Sequence, residues 1–425
     1  MKNMKRFGAI LLALVMVLGI NSTAWAVNTD STDKINEWRG IEANDNMIGI
    51  AKQIVFVNAE DTTVREPNIV YTYTISSATP GSATVKDHIG ISGTVKAGPI
   101  DAVTGTVLNT KTSQITFADT STSSATITGE ANTKYATFTF DPTKLTAPGI
   151  YRYQIVESCE PAKASVGVTS DADYNPNRFL DVYVKWNDAR TALEIYGYVL
   201  FEDEENDQEK SITSTDVAMK SQGYVNTATS GQSDVDVYTT ENLVISKVTT
   251  GSLADLNNDF PVTITMTKAS GLTNGIKLDF KVANNGALTK VGTDTVGDYV
   301  TMDTPLSGTV RNSSTISIIG IPAGSSVTMT EKNNTSDSYK VKAGKTTGAD
   351  DLLTESIVAA GATSGSTSPL PLTAKAEIYF TNTLDTISPT GLVMRFAPYA
   401  LILAAGIVLL VVAMKHKSRK DDDED

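Results

Sequence analysis

The sequence is poor in cysteine and histidine. Its 425 residues include one cysteine, Cys159, and two histidines, His88 and His416. A single thiol cannot form an internal disulfide, and two histidines cannot supply a zinc cluster or a catalytic triad with its supporting groups. We therefore expect neither a disulfide nor a bound metal to stabilise the fold, and we expect no cofactor.

The central part of the chain also lacks a basic cluster. The sequence has 35 Lys and Arg residues against 48 Asp and Glu residues, which gives a formal net charge of −13 at pH 7. Phosphate binding needs concentrated Lys and Arg, so nucleic acid is excluded as an expected partner. Hydrophobic residues make up 40% and charged residues 20% of the sequence. These fractions are near the globular average, and the length is enough for two ordinary domains.

Both ends of the chain have the pattern of targeting segments. Residues 1–26 begin with basic residues, continue with an apolar run and end in Ala-Trp-Ala, which predicts a secretory signal peptide cleaved after Ala26. A first membrane helix is the alternative, which the shortness of the apolar run disfavours. Residues 396–414 are uncharged, mostly apolar and followed by basic residues. This pattern predicts a transmembrane helix with a cytoplasmic tail at residues 415–425, and places the rest outside the cell.

The tripeptide Pro389-Thr390-Gly391 stands just before the apolar segment. This order of Pro-Thr-Gly, apolar helix and basic tail resembles the cell-wall sorting signal of Gram-positive surface proteins, in which a sortase cleaves between Thr and Gly. The resemblance implies a sorting motif at residues 387–391 and cleavage between Thr390 and Gly391. A precursor held in the plasma membrane would then become linked to cell-wall peptidoglycan. The alternative is a protein that stays anchored by its tail.

The body of the chain shows the alternation of half-buried β-strands. It is rich in Thr, Ser and Val, and polar residues alternate with β-branched or aromatic ones in several segments. The clearest of these are residues 69–75, 135–140, 180–184, 262–266 and 376–380. We expect an all-β protein, most simply a row of β-sandwiches.

An internal repeat indicates two domains. Residues 148–157 and 322–331 each run from a Pro to a Glu, as expected for a turn that leads into a strand ending in a carboxylate. Upstream of each Glu lies a strand segment with one Lys, which is Lys52 in the first unit and Lys247 in the second. The predicted domains are residues 27–240 and 241–386.

Strand parity predicts that five polar side chains face the interior. Side chains two positions apart in a strand lie on the same face of a sheet. By this rule the following residues share a face with apolar neighbours: Lys52, Glu157, Lys247, Glu331 and Asn382. Burying an unpaired charge is costly, so these groups must be paired or neutral. The alternatives are plain buried ion pairs, or outward-facing residues on strands assigned one position out of register.

Burial of such a set also permits a covalent reaction. Desolvation lowers the pKa of a Lys and raises the pKa of a Glu, which leaves a neutral amine beside a protonated acid. The amine can attack a neighbouring Asn carboxamide and expel ammonia while the Glu shuttles the proton. The product is a Lys–Asn isopeptide bond between the first and last strands of a domain.

Segments 243–251, 327–331 and 378–383 closely resemble the Lys, Glu and Asn strands of the streptococcal-type pilin isopeptide-linkage domain. Residues 389–399 are similar to the sorting segment of major pilins of the T-antigen type. The resemblance implies tandem immunoglobulin-like domains of the collagen-adhesin B type with self-formed isopeptide bonds. It also implies a covalent homopolymer, in which a class C pilin sortase joins Thr390 of one subunit to a Lys of the next.

The resemblance gives each residue of the second-domain set a role. It implies that Glu331 catalyses a bond between Lys247 and Asn382. The first domain matches the family at Lys52 and at Glu157, its expected catalyst, but the terminal Asn is missing.

Asp236 stands where the family has this Asn, and an Asp can react in a similar way with loss of water. Val235 and Val237 look like the inward pair of this segment, so Asp236 is expected to point outward unless a bulge or register change turns it in. A bond between Lys52 and Asp236 is one interpretation. A first domain without a cross-link is the other.

The resemblance implies an acceptor lysine for polymerisation near the end of the first domain. Lys210 and Lys220 are the nearest candidates, and we take Lys220, whose alternative is an ordinary solvated lysine.

The expected function is structural, as the backbone subunit of a sortase-assembled pilus. Its expected partners are other copies of itself, the sortase, peptidoglycan, and minor pilins or a host ligand. The alternative is a wall-anchored adhesin or minor pilin that uses the same domains to bind a host or matrix ligand. A secreted enzyme lacks support, because no nucleophile–His pair, metal cluster or phosphate loop is visible. Self-cross-linking is the only reaction expected.

Overall fold

The structure is a computed structural model, and it describes only part of the chain. The described residues are 41–44, 46–58, 62–78, 84–86, 92–102, 105–124, 133–170, 174–201, 221, 223–224, 235–273, 275–283, 287–290, 299–302, 304–333, 337–346, 350–352, 356–358, 362–366, 370–371, 375–386 and 399–414. Several sequence predictions lie outside these ranges: the signal peptide at 1–26, Lys210 and Lys220, the sorting motif at 387–391, and the tail at 415–425.

The described chain is built almost entirely of strands, which confirms the all-β prediction for this part of the protein. The first unit contains β1 Ile41–Asn44, β2 Met47–Asn58, β3 Thr63–Arg65, β4 Ile69–Ser77, β5 Thr84–Lys86, β6 Ser92–Ala97, β7 Asp101–Ala102, β8 Gly105–Thr106, β9 Thr112–Phe117, β10 Thr122–Ser124, β11 Thr133–Thr139, β12 Gly149–Glu160, β13 Val168–Ser170, β14 Asn177–Trp186, β15 Leu193–Phe201 and β16 Gly223–Tyr224. Strand β17, Asp236–Thr250, connects it to the second unit.

The second unit contains β18 Phe260–Thr267, β19 Lys277–Ala283, β20 Ala287–Lys290, β21 Val300–Thr301, β22 Leu306–Val310, β23 Thr315–Pro322, β24 Ser326–Lys332, β25 Tyr339–Thr346, β26 Asp350–Leu352, β27 Ser356–Val358, β28 Thr363–Ser366, β29 Leu370–Pro371 and β30 Ala376–Thr383. Short 3-10 helices lie at Pro142–Lys144 and Lys163–Val166. All five segments that alternation assigned to strands overlap strands of the structure.

The C-terminal end of the described chain is an α-helix at residues 399–414. Within the described ranges, no helix combines the length and the apolar character that a membrane span needs. The transmembrane helix at 396–414 stays a prediction.

Two hydrophobic cores lie between one shared sheet and two smaller sheets. The shared sheet has 13 strands and includes β2, β17 and β30. A seven-stranded sheet around β12 and β4 covers the first core, where Ile54 and Ile155 from the two layers belong to one buried cluster. A six-stranded sheet around β24 and β18 covers the second core, with Ile245 and Met329 in one cluster.

Strand β17 belongs to both units. It pairs in parallel with β2 from Asp236 to Thr240, and in parallel with β30 from Leu243 to Thr250. Its antiparallel pairing with β23 has a register irregularity between Glu241 and Leu243. The same strand therefore ends the first unit and begins the second.

This irregularity corrects the sequence prediction for Asp236. The side chain was expected to point outward, but Asp236 is fully buried and Val237 is only half-buried. Before the irregularity, Asp236 and Tyr238 are on the buried side of β17, whereas beyond it Leu243 and Ile245 are buried. The bulge reverses whether even-numbered or odd-numbered residues of β17 face the interior. A face assigned on one side of the bulge therefore does not hold on the other side.

Glu241 lies at the irregularity, and its burial predicts a pH dependence of stability. It is 7% exposed, its Oε2 atom has no hydrogen-bond partner among the described residues, and burial raises its pKa to about 7. Between the unfolded-state pKa of about 4.3 and this value, the folded chain keeps a proton that the unfolded chain has lost. We expect the free energy of unfolding to fall by about 2–3 kcal/mol as pH rises from about 4.5 to 7.

The Glu241→Gln variant tests this expectation. Thermal unfolding of the wild type and the variant would be followed across this pH range. The other carboxyl groups contribute equally to the pH dependence of both proteins. The difference in stability between the two proteins should change by the expected amount. A constant difference would place the pH dependence in other groups.

Candidate functional site

In the second unit the structure brings Lys247, Glu331 and Asn382 together. Lys247 lies on β17 and Asn382 on β30, which are parallel neighbours, and Asn382 is opposite Thr249. Glu331 lies on β24 of the six-stranded sheet. All three side chains occupy inward positions of alternating strands and are at most 1% exposed.

These three side chains form a hydrogen-bonded chain. Lys247 Nζ donates to Glu331 Oε2 at 2.6 Å, and Asn382 Nδ2 donates to Glu331 Oε1 at 2.8 Å. Asn382 Oδ1 is buried without a hydrogen-bond partner among the described residues. Burial lowers the pKa of Lys247 to about 8, although the Glu331 carboxylate opposes this shift. A neutral amine is therefore accessible near neutral pH, with the carboxylate placed to carry its proton.

In the first unit the structure brings Lys52, Glu157 and Asp236 together. Lys52 lies on β2 and Asp236 on β17, where Asp236 is opposite Ile54. Glu157 lies on β12 of the seven-stranded sheet. Lys52 and Asp236 are fully buried, and Glu157 is 6% exposed.

This first cluster is held by short ionic contacts. Lys52 Nζ lies 2.8 Å from Asp236 Oδ2 and 3.2 Å from Glu157 Oε2. Burial lowers the pKa of Lys52, although both carboxylates oppose the shift. Burial alone would raise the pKa of Asp236, but the neighbouring lysine ammonium groups outweigh it and the pKa is lowered.

The two clusters share one strand register. In each unit the Lys stands two positions before the residue that pairs with the Asp or Asn of the neighbouring parallel strand.

The opposite sheet also repeats its arrangement around each Glu. Glu157 is opposite Tyr73, and Glu331 is opposite Val262. Two positions before these partners stand Tyr71 and Phe260, and each ring lies beside the Lys ammonium, at 4.4 Å and 3.8 Å from Nζ to the ring centroid. The same arrangement has therefore been built twice.

Three tyrosines that sequence reasoning did not assign surround the first cluster. Tyr71 donates to Asp236 Oδ2 at 2.5 Å, and Tyr73 donates to Glu157 Oε2 at 2.7 Å. Tyr174 donates to Glu157 Oε1. Burial raises the pKa of all three phenols, so they remain hydrogen-bond donors. Parity could have found Tyr71 and Tyr73, because they stand two apart in a recognised strand.

A second lysine also reaches the first cluster. Lys163 Nζ lies 2.9 Å from Asp236 Oδ1 and 3.4 Å from Glu157 Oε1, and Ser170 donates to Asp236 Oδ1 at 2.6 Å. Lys163 begins a 3-10 helix and Ser170 ends the short strand β13, so no strand or helix period predicts them.

The remaining predicted residues lie outside the described chain. These are the candidate acceptor Lys220 and the sorting residues Pro389, Thr390 and Gly391.

Comparisons with known proteins agree with the resemblance found in the sequence. Residues 241–366 match a family described as a domain of unknown function (DUF7601). A curated protein of Streptococcus pyogenes serotype M1 named Pilin is 24% identical over 317 residues, which cover 75% of this chain and 79% of that protein. This match shows that the chain is similar to a streptococcal pilin over three quarters of its length.

Solved structures of major pilins from Streptococcus pyogenes are also similar in part. One major pilin is 18% identical and covers 81% of this chain and 100% of its own, with a TM-score of 0.40. The major pilin protein T3.2 is 18% identical and covers 82% of this chain and 100% of its own, with a TM-score of 0.40.

Proposed function

We propose that this chain is the structural backbone subunit of a covalent pilus that a class C pilin sortase assembles on a Gram-positive cell. Each immunoglobulin-like unit is locked by a self-formed isopeptide bond, Lys52–Asp236 in the first and Lys247–Asn382 in the second. Glu157 and Glu331 carry the protons. The subunit is exported, polymerised through Thr390 with Lys220 as acceptor, and linked to peptidoglycan.

The observation that carries this proposal is the repeated register of the two buried clusters. A plain buried ion pair would explain Lys247 with Glu331, whose Nζ and Oε2 atoms are 2.6 Å apart. It would not explain why an uncharged Asn382 donates to the same carboxylate while its carbonyl oxygen has no hydrogen-bond partner in the part of the chain that the structure describes. A buried polar atom without a partner is costly, so its retention beside a buried Lys supports a reactive role for this amide.

The proposed second bond lies on the path of tensile force between the two junctions of a subunit. Force that enters at the acceptor Lys220 reaches β17 along the backbone, and the Lys52–Asp236 bond ties β2 to this strand. The Lys247–Asn382 bond then carries the force from β17 directly into β30, the last strand before the sorting motif. Parallel neighbouring strands can otherwise separate by breaking hydrogen bonds, which contribute only about 1 kcal/mol each. A covalent path of this kind suits the shaft of a fibre.

Polymerisation through Thr390 is tested in a Gram-positive host that expresses the full-length chain and a pilin sortase. The wild type should form a ladder of covalent multimers that survives boiling in SDS. The Thr390→Ala variant should give no ladder, because the acyl group to be transferred belongs to Thr390. The Thr386→Ala variant, which changes the residue just before the sorting motif at 387–391, serves as the matched control.

The same experiment separates the shaft from the adhesin interpretation. A wild-type chain that becomes linked to the wall only as a monomer would contradict the backbone role and favour a wall-anchored adhesin or minor pilin.

A further inference from the structure

The two carboxylate oxygens of Asp236 have different surroundings. Oδ2 lies 2.8 Å from Lys52 Nζ and accepts a 2.5 Å hydrogen bond from Tyr71. Oδ1 lies 2.9 Å from Lys163 Nζ and accepts a 2.6 Å hydrogen bond from Ser170. One oxygen therefore faces the expected nucleophile, and the other faces two different donors.

The charges of the first cluster explain why a second lysine is present. An Asp in place of the Asn of the second unit adds one negative charge to a buried site. Two lysines and two carboxylates balance, whereas Lys52 alone would face both Glu157 and Asp236. An uncompensated buried charge is costly, and the Lys163 ammonium at 2.9 Å compensates the additional carboxylate.

We propose that Lys163 and Ser170 form an oxyanion site that stabilises the transition state of the Lys52–Asp236 bond. This inference rests on the proposed self-cross-linking. Donors fixed on the atom where charge develops are more effective than donors that must reorient, since their arrangement is complete before the reaction begins. Both groups are placed on Oδ1 in this way.

The reaction balances with these groups alone. Lys52 first gives one proton to Asp236 Oδ2, which leaves a neutral amine and a carboxylic acid. The Nζ lone pair forms a bond to Cγ, and the C=O electron pair moves to Oδ1, where Lys163 and Ser170 stabilise the negative charge. Glu157 takes a second proton from Nζ and returns it to the Oδ2 hydroxyl, which leaves as water while the Oδ1 carbonyl forms again. Both hydrogens of the water come from the Lys52 ammonium.

The surroundings also distinguish the roles of the two lysines. Lys52 is fully buried, which favours its neutral, nucleophilic form. The Lys163 side chain is 18% exposed, and Lys163 Nζ contacts Oδ1, whereas Lys52 Nζ contacts Oδ2. Lys163 therefore acts as a charged donor and Lys52 as the nucleophile.

The test measures both bonds in the same molecules. The full-length chain is made by cell-free translation with detergent, samples are quenched in acid at intervals, and the cross-linked peptides are quantified by mass spectrometry. We expect Lys163→Met to slow formation of the Lys52–Asp236 bond by about 100-fold, as for loss of one oxyanion donor, and Ser170→Ala to slow it less. Lys163→Arg should stay within about 10-fold of the wild type. The rate of the Lys247–Asn382 bond should not change and reports that the chain has folded.

Several outcomes would overturn the inference. A Lys163→Met variant that forms the first bond as fast as the wild type would show that Lys163 only neutralises charge. A cross-linked peptide joining Lys163 to Asp236 would make Lys163 the nucleophile. A wild type with only the Lys247–Asn382 bond would show that the Lys52–Asp236 bond does not form. If Lys163→Met loses both bonds, the chain has misfolded and this variant does not test the site. In that case Ser170→Ala decides, and a Ser170→Ala variant that forms the first bond as fast as the wild type would exclude the oxyanion site. A wild type with neither bond would instead refute the proposed self-cross-linking.

Discussion

Replacing Asn382 with Ala is expected to remove one of two covalent bonds from residues 27–386. The wild-type body should be lighter than its sequence mass by about 35 Da, because a Lys–Asn bond releases ammonia, about 17 Da, and a Lys–Asp bond releases water, about 18 Da. The Asn382→Ala body should be lighter than its own sequence mass by only about 18 Da. Intact-mass measurement to within one dalton resolves these values.

The same variant should be much less stable. The Lys247–Asn382 bond closes a loop of about 135 residues, which a chain-entropy estimate values at about 5 kcal/mol. For a unit of this size that corresponds to a fall in Tm of about 10–20 °C. Because Lys247 keeps its ion pair with Glu331, the change reports mainly the loss of the bond. Calorimetry of both proteins at one pH measures it.

The Glu331→Ala variant separates catalysis from packing. It keeps both reacting groups, Lys247 and Asn382. We nevertheless expect no bond between them and no loss of ammonia, since this cluster no longer has a carboxylate to carry the proton. Its Tm should fall below that of Asn382→Ala, because Lys247 also loses its buried partner. The matched control is Glu194→Ala, which removes an exposed ion pair of 3.1 Å with Lys185 and should change stability by less than about 1 kcal/mol. An unchanged 35 Da deficit in Glu331→Ala would exclude the catalytic role of this carboxylate.

Replacing Asp236 with Ala is expected to have a comparable effect on the first unit. The mass deficit should fall to about 17 Da, since only the Lys–Asn bond remains. The lost bond would close a loop of about 184 residues, again worth about 5 kcal/mol. The change also leaves Lys52 and Lys163 with one carboxylate between them, so we expect a further loss from unbalanced buried charge.

Calorimetry and limited proteolysis locate this effect. The first unit should melt and be cleaved at lower temperature, while the second unit keeps the transition of the wild type. The matched control is Asp101→Ala, which removes a Lys–Asp ion pair of 2.9 Å with Lys111 at the surface and should have little effect. A variant that keeps the 35 Da deficit would show that Asp236 is not the electrophile, and would return the first unit to a domain without a cross-link.

Local sequence pattern was sufficient for the all-β fold class and for the position of several strands. Alternation of polar with β-branched or aromatic residues identified strands at 69–75, 180–184 and 376–380, because side-chain direction in a regular strand depends only on position. The same rule placed Lys247 and Asn382 inward, and both are buried. Within an uninterrupted strand, the sequence alone therefore determines which side chains share a face.

The tertiary structure decided the chemistry of the first unit. Asp236 points inward only because β17 pairs with β2 and then with β30, and the irregularity after Glu241 changes its parity between the two pairings. Lys163 reaches Asp236 from a 3-10 helix 73 residues away in the chain. Neither fact has a local signal, since a bulge depends on the partners of a strand and an ion pair between distant segments depends on how the sheets pack. The sequence determined several strands, the second cluster and the inward direction of Lys52 and Glu157, whereas packing decided that Asp236 and Lys163 complete the first cluster.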